Sequence, residues 1–202
     1  MSRLEMVIPS GYRRPVARER ITRTRIDQVA IRLVDRDGFE ALTLSQVAAE
    51  LDVGPSALYT HVNGLEGLRR LVAVSATTNL TTRLRTAAIG NAGTTAVLAM
   101  GAAYRQFLHD HPGQFASTMA GAADETNDEL AAATDDLLQV FALVFAASGH
   151  GPEEADLAAR STRSAIHGFC ALEHASGTTD DHTAAYEHLL ATLQRGLDRP
   201  TD

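Results

Sequence analysis

Residues 44–62, LSQVAAELDVGPSALYTHV, constrain this chain more than any other stretch. The apolar positions Val47, Ala48, Leu51, Val53, Leu58 and Val62 do not keep one helical period from end to end. They fit a short helix over 44–51, a tight turn at 52–54, and a second short helix over 55–62 crossing the first. Thr43 can cap the first helix, and Gln46 three residues on completes a capping box. Ala48 is small where the second helix must pass close. Asp52 stands where the turn asks for a left-handed residue, a conformation Asp tolerates better than most non-glycine residues. Gly54-Pro55 restarts the helix with proline at its first position, where a missing amide costs nothing. Such a pattern is a helix-turn-helix.

The rest of the chain reads as helix around it. Ile26, Val29, Ala30, Leu33 and Val34 recur at three and four and predict a helix over 24–37, ended by Gly38. Phe39 and Leu42 turn inward to close a three-helix core. Asn63-Gly64 breaks the recognition helix, and a long helix is expected over 65–87 with Leu68, Leu71, Val72, Leu80 and Leu84 inward. Residues 89–93 are the expected break after it. Helices follow over 94–111, around Phe115 and Met119, over 125–147, over 153–176 and over 181–197. The small faces Ala155, Ala158, Ala159 and Ala184, Ala185, Ala191 suit close helix approach. The expected class is all-α, with a basic arm over 1–23, a helix-turn-helix domain over 24–70 and a larger helical domain over 71–202.

Charge is unevenly spread. The chain carries net −7, yet residues 1–70 hold 11 Arg against 9 acids, and the first 25 hold 7 Arg against 2 Glu. Positive charge therefore gathers beside the helix-turn-helix, while the remainder would repel nucleic acid. A basic tail is often only a solvated tail; next to this motif it reads as an arm for phosphates or a minor groove. All 18 basic residues are Arg, which genome composition explains as readily as recognition. No apolar window reads as a membrane span and no signal peptide is expected, and the single cysteine, Cys170, excludes an internal disulfide. A cytoplasmic protein is expected.

Asp37-Gly38-Phe39, Leu42-Thr43, Ala57-Leu58-Tyr59-Thr60-His61-Val62 and Asn63-Gly64-Leu65-Glu66-Gly67-Leu68 together resemble the DNA-binding domain of the tetracycline-repressor (TetR) family of transcriptional regulators. The likeness covers residues 24–72. It departs at Asp52, where the family usually has Gly, and at Leu65, near which the family usually has Lys or Arg. Around Ile166-His167-Gly168-Phe169 the chain also resembles a His-Gly (WHG-type) C-terminal domain of that family, without the Trp that usually precedes it. The resemblance implies a regulator, commonly a repressor, that binds an operator and is released by a small-molecule effector. It places Tyr59 and His61 on the DNA face and Thr43 at a phosphate.

A recognition helix presents short groups to base edges. Gly54, Pro55, Ser56 and Ala57 form its leading end: Ser56 can bond a base or phosphate, and Pro55 and Ala57 can touch a thymine methyl. Thr60 is a further contact. Tyr59 has a core reading as well as a DNA-facing one, and His61 could be a plain surface histidine. No cation lies in this helix, so specificity leans on methyl contacts, the arm and DNA shape. One such helix reads few base pairs, so a homodimer on a pseudo-palindromic double-stranded operator is expected, joined through the last two helices.

Other chemistry is thinly supported. The eight histidines include no i, i+4 pair and no Cys-x-x-Cys accompanies them, so neither a metal site nor a cofactor is expected. No phosphate loop and no serine elbow is present, and enzymatic activity is not expected. An effector pocket in the second domain has Phe115, Met119, Phe141, Phe145, His167, Phe169 and Cys170 as candidates, each of which could equally be ordinary core. The rival reading is a helical small-molecule-binding protein whose helix-turn-helix no longer binds DNA, suggested by Leu65 and the missing recognition-helix cation.

Overall fold

The computed structural model describes residues 20–121, 128–176 and 182–197. Among these the chain is helical throughout: α1 (Arg23–Asp37), α2 (Leu44–Glu50), a short 3-10 helix (Pro55–Thr60), α3 (Gly64–Ala88), α4 (Gly93–Asp110), α5 (Pro112–Gly121), α6 (Asp128–Ala147), α7 (Pro152–Ser176) and α8 (His182–Leu197). The arm expected over 1–23 lies outside the described residues up to position 19. Its last residue does not belong to an arm, because Arg23 opens α1 behind a Thr22 cap.

Two apolar cores are strung along α3. The first holds Ile26, Val29, Leu33 and Val34 of α1, Phe39, Leu42, Val47, Leu58 and Val62, and the near half of α3 with Leu68, Leu71 and Val72. The second begins at Leu80 and Leu84 and gathers Tyr104, Phe107, Phe115, Phe141, Phe145, Ile166 and Cys170. No loop divides them: one 25-residue helix serves both. A tilt of α3 therefore moves the two units together.

Helix α6 corrects one expectation, since Asp128–Ala147 is long and apolar enough to cross a membrane by length and composition. Its alanines raise the average, and Leu137, Val140, Phe141 and Phe145 face the bundle core. It packs chiefly on α7 and α3. Helix α8 closes the bundle over α4, where Gly101 leaves room for Leu190 and the Tyr186 hydroxyl donates to the Gly101 carbonyl at 2.6 Å.

Candidate nucleic-acid interface

The motif folds as its residues dictate. The Thr43 side chain accepts from the Gln46 amide at 3.2 Å, and the Gln46 side chain accepts from the Thr43 amide at 2.9 Å. Two amides at the start of a seven-residue helix are thus satisfied locally. Asp52 is left-handed at φ 54. The second helix is the exception: the expected α-helix is 3-10, with Ala57 N–H bonding Gly54 C=O at 3.0 Å and His61 N–H bonding Leu58 C=O at 2.9 Å. Eight residues between Gly54 and Asn63-Gly64 leave little room for i→i+4 bonding, and short pieces are where 3-10 geometry is used.

That tighter winding decides what faces outward. At three residues per turn, Ser56 and Tyr59 lie above one another. Leu58 and Val62 are buried, whereas Gly54, Pro55, Ser56, Tyr59 and Thr60 are exposed, Tyr59 by 61 %. Ala57 and His61 are half-buried at the edge. Thr60 turns its hydroxyl back onto the Ala57 carbonyl at 3.1 Å. Thr43 is exposed, with its hydroxyl also bonded to Gln46. All eight expected residues are exposed or half-buried.

The surrounding arginines are more occupied than their number suggests. Arg36 meets Asp37 and Glu50, Arg69 meets Glu40 and lies over the Phe39 ring, and Arg23 reaches across to Glu129 at the start of α6. Much of the positive charge counted in the sequence therefore ties elements together, a use that composition alone does not reveal.

The two units also meet where α5 begins. A Cβ on Gly113 would fall 1.8 Å from the Val34 carbonyl oxygen, so only glycine lets α5 lie on the end of α1. Around it Asp35 accepts from Gln114 at 2.8 Å and from His111 Nδ1 at 2.9 Å. Arginine can only donate, so the 2.9 Å contact between Arg83 and His111 Nε2 makes that nitrogen the acceptor and puts the ring proton on Nδ1. Asn79 on α3 donates to Gln114 at 2.8 Å. This joint on α1, α3, α4 and α5 was not foreseen.

The seven candidate effector residues do not converge. Phe115 and His167 meet, with ring centroids 5.4 Å apart. Phe169 instead faces Tyr186 and His182, and Phe145 faces His150. Phe141 and Cys170 are fully buried in the same core, and Met119 is exposed. Burial pushes the Cys170 thiol up to about 12, so it is a packing group rather than a thiolate. Tyr104, bonded to His167 Nδ1 at 2.8 Å, joins this neighbourhood without having been singled out. A separate groove of about 380 Å³ lies between the ends of α3, α4 and α6, lined by Ile89, Val140, Leu143 and Val144 and rimmed by Arg85.

Comparison with known proteins agrees with this arrangement. Residues 97–193 match the family model described as tetracyclin repressor-like, C-terminal domain. The chain is 33 % identical over 183 residues to the HTH-type transcriptional regulator Rv0681 of Mycobacterium tuberculosis, covering 90 % of this chain and 84 % of that one. It is 26 % identical to the HTH-type transcriptional regulator YobS of Bacillus subtilis, covering 75 % and 78 %. Solved structures share the fold: a Rhodococcus sp. RHA1 protein (TM-score 0.74, 21 % identity, 92 % of this chain and 100 % of that one), and BioQ with its double-stranded DNA operator (TM-score 0.66, 21 % identity, 87 % and 99 %). A helix-turn-helix facing outward on a helical bundle, with this likeness along nearly the whole chain, places the protein in the tetracycline-repressor family of helix-turn-helix transcriptional regulators.

Proposed function

We propose that the protein is a repressor that binds a pseudo-palindromic double-stranded DNA operator as a homodimer in the cytoplasm and lets go when its C-terminal bundle takes up a small molecule. The observation carrying this reading is the exposed face of the 3-10 helix. Tyr59 stands out over Ser56 while Leu58 and Val62 anchor the helix from behind. An isolated surface tyrosine needs no explanation; one flanked by Pro55, Ser56 and Thr60 has the polar and apolar mixture that base edges and phosphates accept. Thr43, Gly54, Ala57 and His61 complete the proposed contact set. The structural neighbour BioQ is described with a double-stranded DNA operator, which supports operator binding as the reading.

For the dimer, the outer face of α7 supplies a surface. Leu157, Ser161, Ser164, Gly168, Leu172 and Ala175 are exposed at spacings of three or four, with Leu157 and Leu172 68 % and 73 % exposed. A stripe of that period suits a packed helix pair, with small residues between two leucines allowing close approach. Ala184 and Ala185 are exposed on α8. Control passes through α3 and the joint at Gly113: an effector that prefers one setting of the bundle shifts α1 and α3 with it and spoils the spacing of the two recognition helices.

Selection from a random DNA pool gives the operator, and an anisotropy titration then compares the wild type with Tyr59→Ala. The expected result is about tenfold or greater loss of affinity with dimer and helix content unchanged, given what one desolvated polar-aromatic contact contributes. Wild-type binding must also weaken steeply with salt. Equal affinity for operator and scrambled DNA would favour the rival reading of a motif that no longer binds DNA.

A further inference from the structure

Resting on the reading of the bundle as effector-binding, we infer that the inner face of α7 holds an organic anion, a carboxylate on an apolar or aromatic body, between Arg163 and His167. The two residues are four apart on α7 and so lie one above the other. Arg23, Arg83, Arg85, Arg105 and Arg160 each meet an Asp or Glu. Arg163 meets none among the described residues, and its Nε is closed off from solvent without a hydrogen bond. A shielded donor on a cation is costly to leave unmet, which makes the site one that awaits an acceptor.

The neighbouring groups point the same way. Arg163 lies close enough to the buried Tyr104 oxygen to favour negative charge on it, although burial dominates and holds the hydroxyl protonated. With the guanidinium on its oxygen side, the Tyr104 hydroxyl donates a hydrogen bond to His167 Nδ1, 2.8 Å away. His167 then carries its hydrogen on Nε2. Burial, and after it the Arg163 charge, lower the His167 pKa to about 4, so the ring stays neutral near pH 7. The cluster therefore ends in two donors, Arg163 Nε and His167 Nε2, with one positive charge and, among the described residues, no carboxylate paired with it. A carboxylate, which only accepts and carries the opposite charge, answers that set, and charge-assisted bonds are the strong ones. The fully buried Phe115, 5.4 Å from the His167 ring and 5.8 Å from the His174 ring, is the aromatic side chain packed beside the cluster.

The test uses the full-length protein and matched pairs of probes: benzoate with benzyl alcohol, 4-phenylbutyrate with 4-phenylbutanol, octanoate with octanol. Calorimetric titration should show at least one acid binding about tenfold or more tighter than its alcohol, the preference expected for a hydrogen-bonded charge. Arg163→Gln should erase the preference, and Arg163→Lys, which keeps the charge, should retain part of it. Acid and alcohol binding alike, no acid binding, or a preference surviving in a folded Arg163→Gln protein would each overturn the inference. A wild type that prefers acids yet ignores its selected DNA would sink the regulator reading while leaving this site standing. One that binds its operator but is blind to ligand charge would do the reverse.

Discussion

The two cores strung on α3 are built from different materials. Around the helix-turn-helix the buried side chains are aliphatic apart from Phe39, and Asp27, Asp35, Arg69 and Arg70 are only half-buried at its edge. In the bundle, Glu173, Gln114, Ser117, Thr118, Thr77, Thr81 and Thr162 are buried and polar. A dry aliphatic core has one good packing and holds its surface residues at fixed spacing, which a DNA-reading unit needs. A core threaded with hydrogen bonds is specific only while every partner is in place, so it answers to whatever changes one of them. The rigid half reads and the polar half can be addressed.

The sharpest way to break the contrast is at Glu173. Its side chain is 2 % exposed and takes Arg105 Nε at 2.9 Å and 3.1 Å, with Thr183 bonding the same guanidinium. Glu173→Ala leaves a shielded cation and is expected to cost about 3–5 kcal/mol in denaturant unfolding. The Arg105 bonds, with nearby positive charge, hold the Glu173 carboxyl below its ordinary 4.5. Its folded value being the lower one, this contribution is complete above the unfolded carboxylate range and disappears as pH falls through the folded value. Glu173→Gln should flatten that part of an acid-unfolding curve. A variant as stable as the wild type, with the same acid limb, would mean the polar core is not what holds the bundle.

Gly113→Ala comes next, because it strikes between the halves. The added carbon must move away from the Val34 carbonyl, and both partners are backbone. Overpacking of this sort costs about 1–3 kcal/mol. Operator affinity should fall as well, since α1 carries one wall of the reading unit. If affinity holds while stability drops, the joint is structural and coupling runs through α3 alone.

The same contrast explains what the sequence disclosed. The aliphatic half was readable almost residue by residue: Ile26, Val29, Leu33 and Val34 on one face, the Thr43–Gln46 box, left-handed Asp52 and inward Leu58 all follow from local period and local chemistry. Only the 3-10 winding escaped, because it depends on the length between two breaks rather than on propensity. In the bundle the helices were legible and their traffic was not. Arg105–Glu173 spans 68 residues and His111–Asp35 spans 76, and no periodicity encodes such pairs. Phe115 and His167 were marked for a site while Tyr104 and Arg163, which lie in the same neighbourhood, were not; which arginines meet a carboxylate shows only once the helices are packed. Likewise Arg23 counted toward a basic arm until Glu129 claimed it.

The smallest effect sharpens the comparison from the DNA side. Leu65 stands exposed in the first turn of α3, beside Glu66 and behind an Asn63 cap whose side chain makes no capping bond. Related chains usually carry a cation at this end of the helix. Leu65→Lys places a positive charge at a helix N-terminus, which disfavours folding by about 0.3–1 kcal/mol. On DNA the same charge gains a phosphate, so operator affinity at low salt should rise a few-fold and the salt slope should steepen by about one ion. Stability and binding then move in opposite directions from a single surface change. A steeper slope on operator and scrambled DNA alike would place Leu65 beside the backbone; an unchanged slope would turn this edge of the reading unit away from the groove and require another residue to carry the missing contact.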